Sequence, residues 1–493
     1  MNANFSTFKN PKTTLFLQFH AFVVGVVPTP LDFDTLIDIH HSLALENSMN
    51  ASQHTRSICN TKPLAWTLFL LLLMTIVLPA CMQTLAAEQP DNRASSPPSE
   101  NWPQFLGPRR DGVSHQTGLN LDWVGQPPKL LWRKPLGPGF SSLSIVDDRL
   151  FTMVQQEEQI LVVCHQASSG QRLWTQPLGS HYVDNQKQGP GPRSTPTYDR
   201  GKLYCLGPAG EFACFHAEDG RVVWRTNVYE ACNITDPLEE NLYWGLSGSP
   251  LVEEDLVICL PGGKQNNCVA AFDIHSGKLV WTIVNDHRSY GSPITATLGG
   301  RKQIVCYTGE SLLGLDPKHG NILWRFAHQN DYKCSCSTPL VINNQIFIST
   351  AYGTGAALVQ VESQNGKFDV QKKWEQNQFQ TLFATSVIVD GHAYGCHGDT
   401  GVCTLRCLEL VTGEVKWIAR PPGRCTLLAA GKHLFALSED GVLRLIAADP
   451  TQYIEKGKID ELLAYKAWAT PALFQGRLYA RDQQDLVCVD LQK

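Results

Sequence analysis

The feature that most restricts the fold is a repeat, Gly-x-x-x-Trp. It occurs as Gly170-Gln-Arg-Leu-Trp174, Gly220-Arg-Val-Val-Trp224, Gly277-Lys-Leu-Val-Trp281, Gly320-Asn-Ile-Leu-Trp324 and Gly413-Glu-Val-Lys-Trp417. A stretched copy runs from Gly366 to Trp374. Ahead of the Gly lies an apolar run closing on an acid or amide, as in Ala270-Ala-Phe-Asp-Ile-His-Ser276. The unit reads as strand, tight turn, strand with Trp. Glycine supplies the positive φ that a short hairpin turn requires.

A second signal marks the other end of each unit: a small residue, Pro, an apolar pair, a turn and another apolar run. Thr195-Pro-Thr-Tyr-Asp-Arg-Gly-Lys-Leu-Tyr-Cys205 is one example, and Ser249-Pro and Thr470-Pro open two others. Aligned copies put the proline site at Ser144, Pro196, Pro250, Pro293, Pro339, Ser386, Leu427 and Pro471. The intervals are 52, 54, 43, 46, 47, 41 and 44 residues. Eight copies of four short strands predict an all-β, eight-bladed β-propeller. The last copy ends at Asp485-Leu-Val-Cys-Val-Asp-Leu491 without a Trp strand, and an orphan one, Lys129-Leu-Leu-Trp132, precedes the first copy. The orphan is expected to complete the last blade and close the ring, leaving no mismatched edge. An open solenoid would need polar caps at its ends.

Composition excludes other classes. A 43% hydrophobic share is too high for a disordered chain. Lys plus Arg is 41 against 46 Asp plus Glu, a formal charge of −5, so no basic excess points to nucleic acid. With 39 Gly, 29 Pro, 5 Met and 18% charged residues, the chain suits turns and strands better than helices.

Residues 1–48 show no periodicity and read as an upstream extension or a disordered segment. Residues 49–87 contain Arg56, Lys62, the apolar run 64–78 and small residues after it, the pattern of a secretory signal or an anchor. Translation is expected to start at Met49. Leu78-Pro-Ala-Cys81 makes Cys81 a candidate for lipidation, in competition with cleavage after Ala86 or Ala87. Residues 88–128 read as linker and leader, and 129–493 as the propeller. The product is expected in the periplasm or cell envelope, touching membrane only through the N-terminal signal or anchor.

The blade pattern, apolar-Asp-x-x-x-Gly-x-x-x-Trp, resembles the pyrroloquinoline-quinone (PQQ) type repeat of quinoprotein alcohol dehydrogenases and of BamB, the lipoprotein of outer-membrane barrel assembly. The leader Asn101-Trp-Pro-Gln-Phe-Leu-Gly-Pro-Arg-Arg-Asp-Gly-Val-Ser114 is similar to the start of exported planctomycete-type PQQ-like propeller proteins, as are Gly189-Pro-Gly-Pro-Arg-Ser-Thr-Pro196 and Trp244-Gly-Leu-Ser-Gly-Ser-Pro250. The resemblance spans residues 101–493. It implies that the recurring tryptophans pack between blades, a structural duty for Trp132, Trp174, Trp224, Trp281, Trp324, Trp374 and Trp417 with Gly170, Gly220, Gly277, Gly320 and Gly413. It also implies two roles. One is a non-catalytic scaffold that binds envelope proteins or peptides at a propeller face. The other is a PQQ- and Ca²⁺-dependent alcohol dehydrogenase, the polyvinyl alcohol type included.

The second role needs cations to clamp the quinone's carboxylates, oxygen ligands for Ca²⁺ and a carboxylate base. Loops between one blade and the next offer Arg193, Trp244 and Arg288 as cofactor-binding candidates and Asp286 and Asp331 as candidate bases. Glu239, Glu240, Tyr243, His287 and Tyr332 stand beside them. The family's adjacent-cysteine disulfide has no counterpart here; the nearest sequence is Cys334-Ser-Cys336, whose side chains alternation places on one face. Cys164, Cys214, Cys407 and Cys488 share one repeat position and read as a small buried slot. Cys205 with Cys214, and Cys259 with Cys268, are nine residues apart and could bridge across hairpins. No zinc-type spacing is present, and no metal ligand is assigned.

Overall fold

The structure, a computed structural model, describes residues 100–493 apart from 185, 236–242 and 400. The segment 1–48, the expected signal or anchor 49–87 with Cys81, the expected tether up to residue 99, and Glu239 and Glu240 lie outside the described residues. Eight sheets form a β-propeller. Blades 1 to 7 span 144–180, 197–227, 251–283, 294–327, 340–376, 387–419 and 425–459, each with four antiparallel strands in sequence order from the axis outward. Blade 8 takes three strands from the C-terminus, Ala472–Phe474, Arg477–Arg481 and Asp485–Asp490, and its outer strand, Lys129–Pro135, from the front of the chain. Lys129 pairs with Asp490 and Pro135 with Asp485, so the ring closes as the sequence implies. A one-turn helix, Val228–Ala231, interrupts the strands and is capped by the Asn227 side chain.

One row of residues crosses each blade in register. Blade 2 has Thr197, Tyr204, Cys214 and Trp224; blade 8 has Ala472, Tyr479, Cys488 and Trp132. In blade 1 the row starts at Ser144, which moves the proline site to Leu143, one residue earlier than aligned from the sequence. The shared cysteine position lies opposite the Trp, and Cys164, Cys214, Cys407 and Cys488 are fully buried. Burial pushes each of these thiols up to about 12. The hairpin bridges do not form: Cys205 pairs with Ala213 and Cys259 with Ala270, and neither is in a disulfide. The nine-residue spacing is one or two positions out of register with direct opposition.

The Gly and Trp of the motif act across blades. A methyl group on Gly220 would sit 2.9 Å from the Trp174 ring of the preceding blade; on Gly277 it would sit 2.5 Å from Trp224, and on Gly413 2.6 Å from Trp374. Each glycine has a positive φ, so its αL turn leaves a flat floor for the neighbour's indole. The indole N–H then donates to a carbonyl of that next turn: Trp132 to Ala167 (3.2 Å), Trp174 to Ala217 (3.2 Å), Trp224 to Ile274 (2.8 Å), Trp374 to Leu410 (2.7 Å) and Trp417 to Asp449 (2.8 Å). Trp324 differs because blade 5 carries the stretched hairpin; its N–H turns to Gln303 at 2.6 Å. Gly366 sits in that hairpin's turn with nothing near its missing Cβ. Trp281 packs over Gly320, but its N–H finds no partner among the described residues.

Blade 7 has Gly457 where the others have Trp. The leader fills the vacancy. Trp123 lies 2.5 Å from where a Gly457 Cβ would be, and its ring is 5.9 Å from Phe435 at 53°. Trp132 stands against Tyr479 at 6.0 Å and 54°, which is the same arrangement. The leader also runs under the ring axis. Trp102 bridges to Ile145 of blade 1, and Val113–Ser114 adds a parallel strand beside Ala429 and Ala430 of blade 7. Arg110 is 2% exposed and donates to the carbonyls of Ser249, Pro250 and Pro293, to Thr197 Oγ1 and to Gln104 Oε1. A buried guanidinium with all its donors engaged is tolerable without a carboxylate partner.

Candidate functional site

The proline sites place the site. Each stands at the start of an inner strand, so the residues just ahead of it come down beside the axis. One position ahead, every blade carries a hydroxyl: Ser142, Thr195, Ser249, Ser292, Thr338, Thr385, Thr426 and Thr470. These link neighbouring blades. The Ser142 N–H donates to Thr195 (3.0 Å), Thr195 to Ser249 (2.9 Å), Ser249 to Ser292 (2.9 Å), Thr338 to Thr385 (3.0 Å) and Thr470 to Ser142 (2.9 Å). Backbone groups that would otherwise be orphaned at the axis are satisfied by the next blade's side chain.

Three positions ahead, the residues are Phe140, Arg193, Ser247, Tyr290, Cys336, Phe383, Arg424 and Trp468. All but Arg424 line one pocket on the axis, of about 730 Å³ with its open mouth included. Trp244 and, from the leader, Phe105 complete it with Ser142, Ser292 and Thr470. The wall is aromatic and internally stacked. Trp468 lies 4.6 Å from Phe383 and 5.1 Å from Phe140, both near parallel, and Trp244 meets Tyr290 edge-on at 5.1 Å. Such pairs hold their rings in fixed orientation.

Cations flank the rings. The Arg193 guanidinium sits 5.0 Å from the centre of Phe140, Arg424 5.4 Å from Phe383, and Lys466 Nζ 4.4 Å from Trp468. Arg193 is held by Asp184 at 2.9 Å. Burial lowers its pKa, and Asp184 acts against that shift. Asp184 also accepts the backbone N–H groups of Gln186, Gln188 and Gly189, so it braces the loop carrying Arg193. Arg424 donates to the Asp399 carbonyl at 2.7 Å and stands 3.3 Å from Glu439. Burial raises the Tyr290 phenol well above its ordinary range.

Of the residues singled out from the sequence, Arg193 and Trp244 meet in this pocket. Arg288 does not line it; it is buried over Tyr229, donating to the Pro261 carbonyl at 2.7 Å and to the Tyr229 hydroxyl at 2.9 Å. Asp286 is buried against Arg325 (2.7 Å) and Thr308 (2.7 Å), away from the lining. Asp331 and Tyr332 are on an exposed turn, Tyr243 packs edge-on to Trp244 at 6.2 Å, and His287 contacts Glu310. Phe140, Phe383, Arg424, Lys466 and Trp468 were not legible as a set. The signal that finds them is the shared offset from the proline site, visible once the register is known.

Fit to a quinone cofactor with Ca²⁺ can be judged from these groups. Among the described residues, none that lines the pocket carries a carboxylate. Asp184, the nearest through Arg193, is fully engaged. Among the described residues no cluster of three or more His, Cys, Asp or Glu side chains is placed to hold a metal. Among the described residues, the pocket wall lacks the carboxylates that would hold Ca²⁺ and accept the proton, so these residues do not fit the group.

Fold and pocket together define a closed eight-bladed propeller with an aromatic axial pocket. A family model described as outer membrane protein assembly factor BamB matches residues 157–419, more than half the chain, and the chain belongs to that family of PQQ-like propellers. Among solved structures, BamB from Moraxella catarrhalis is similar at 13% identity and a TM-score of 0.51, over 74% of this chain and 99% of that one. Quinohemoprotein alcohol dehydrogenase from Comamonas testosteroni is similar at 14% identity and a TM-score of 0.58, over 81% and 82%. A europium-containing methanol dehydrogenase gives 12% identity and a TM-score of 0.55, over 80% and 98%. At these identities the likeness concerns the fold. No curated protein matches the chain.

Proposed function

We propose that this propeller is a non-catalytic binding module of the cell envelope, exported by its N-terminal signal, that seats a protein or peptide partner on the loop face around the axial pocket. The observation that carries the reading is the pocket's composition. Seven blades contribute a side chain from one repeat position, the wall is stacked aromatic rings beside cations, and among the described residues no carboxylate lines it. Such a wall grips an aromatic or aliphatic side chain of a partner by burial and ring contact. The family description, an assembly factor for outer membrane proteins, supports a protein partner.

The test is peptide binding by fluorescence anisotropy, using peptides from envelope proteins that present aromatic side chains. Trp468→Ala is expected to weaken binding at least tenfold, with Val124→Ala as an exposed control. Equal binding by both variants overturns the pocket reading.

The second reading, a PQQ- and Ca²⁺-dependent alcohol dehydrogenase, rests on fold likeness to the quinohemoprotein enzyme. PQQ with Ca²⁺ is expected neither to raise the unfolding temperature nor to support dye reduction by alcohols, polyvinyl alcohol among them. Both effects together would overturn the scaffold reading.

A further inference from the structure

Among the described residues, Cys336 is the one cysteine in the wall of the axial pocket. Its Sγ stands 3.7 Å from the Sγ of Cys334, which is buried behind it. We propose that Cys334 and Cys336 form a reversible thiol–disulfide site that reacts with small disulfides entering the pocket.

The backbone around the pair is held in place. Asn330, itself buried, accepts the Cys334 N–H at 3.1 Å and donates to the Cys334 carbonyl at 2.6 Å. Thr350 donates to the same carbonyl at 3.1 Å. Between the cysteines, the Ser335 N–H donates to Ser289 Oγ, and the Ser335 carbonyl accepts the N–H groups of Tyr290 (3.1 Å) and Gly291 (3.0 Å). The two sulfurs are therefore presented to each other by an anchored segment, 3.7 Å apart against a bond of about 2.05 Å. Cys336 is half-buried in the pocket wall, whereas Cys334 is buried and does not line the pocket. That asymmetry assigns the order of events.

The Cys336 thiolate attacks a sulfur of a small disulfide RSSR, forming Cys336–S–S–R and releasing RS⁻. The Cys334 thiolate then attacks the Cys336 sulfur, closing Cys334–S–S–Cys336 and releasing the second RS⁻. The two protein thiols lose two electrons and two protons; RSSR gains both and leaves as two RSH. A bridge across one intervening residue closes a small ring, and strained bridges of this kind are readily reduced. Contact with Cys334 and burial hold the Cys336 thiol well above the ordinary range. The reaction is therefore slow at neutral pH and accelerates about tenfold per pH unit as thiolate appears.

The experiment treats the full chain with hydroxyethyl disulfide at pH 8.5, quenches with iodoacetamide under denaturation and maps tryptic peptides. The peptide 334–367 contains these two cysteines and no other. The expected result is this peptide unalkylated and two hydrogens lighter, returning to the alkylated form after dithiothreitol. In Cys334→Ser the reaction stops with the hydroxyethyl adduct on Cys336; in Cys336→Ser no adduct forms on Cys334. The proposal is overturned if both cysteines of the wild-type peptide are alkylated after treatment, or if the adduct in Cys336→Ser appears on Cys334. Wild-type mapping decides the bond even if a variant fails to fold. Neither result depends on the partner binding proposed above.

Discussion

Replacing Trp123 by Ala tests whether the leader is part of the ring. Trp123 is 4% exposed, packs on Phe435 and occupies the place that Gly457 leaves empty in blade 7. A buried Trp removes about 200 Å² from water, which at ~25 cal/mol per Å² is about 5 kcal/mol. Large-to-small changes at such sites cost about 3–5 kcal/mol, so about 4 kcal/mol is the expected loss. The described propeller has roughly 390 residues, and ~2.1 cal/mol/K per residue gives an unfolding entropy of about 0.8 kcal/mol/K. The unfolding midpoint, read by circular dichroism, should fall by about 5 °C. Val124→Ala, at the next position and 82% exposed, should leave it unchanged. A Trp123→Ala midpoint within 1 °C of wild type would show that the leader only drapes over the ring, and the account of blade 7 would be wrong.

Gly277→Ala should destabilise by about 1–3 kcal/mol, because its Cβ meets the Trp224 ring at 2.5 Å and its φ is 68°; Gly366→Ala, with the same hand of φ but open space, should cost only about 1 kcal/mol in the same denaturant titration. Arg110→Ala should cost about 3–5 kcal/mol, since it takes the guanidinium donors from the buried Ser249 and Pro293 carbonyls and leaves Pro250 only Thr197, and a denaturation midpoint equal to wild type would show that water replaces the guanidinium. Burial lowers the pKa of His328 to about 4, with Glu375 opposing the shift. The unfolded chain takes up this proton near pH 6.5 and the folded chain only near 4, so stability falls between those values by about 3 kcal/mol and then levels. Urea unfolding of wild type and His328→Asn at pH 7 and 4.5 checks it; an equal pH response in the two proteins removes the assignment.

Much of the ring was legible because its determinants are local and repeated. Glycine at a positive-φ turn, an indole four residues later and a hydroxyl before the proline site recur in one chain, so copies vouch for one another. Even the closure could be read, since Trp132 had no strand before it and Asp485–Asp490 none after it. The pocket was less legible. Asp286 and Arg288 are charged loop residues of the kind that marks sites, yet ion pairing and burial retire them, while Phe140, Phe383 and Trp468 look like ordinary core.

The sequence alone determined the blade: its turn, its four strands, its number of copies and the way the termini meet. These follow from periodicity, which acts over a few residues and leaves its mark in the order of residue types. Tertiary structure decided what no period encodes. It set Trp123 into the gap over Gly457 from a distant segment, turned most of the indoles onto the neighbour's turn, and brought residues at one offset in eight blades to a common axis. Contacts across blades depend on where sheets are placed in space, and only the closed ring sets those positions.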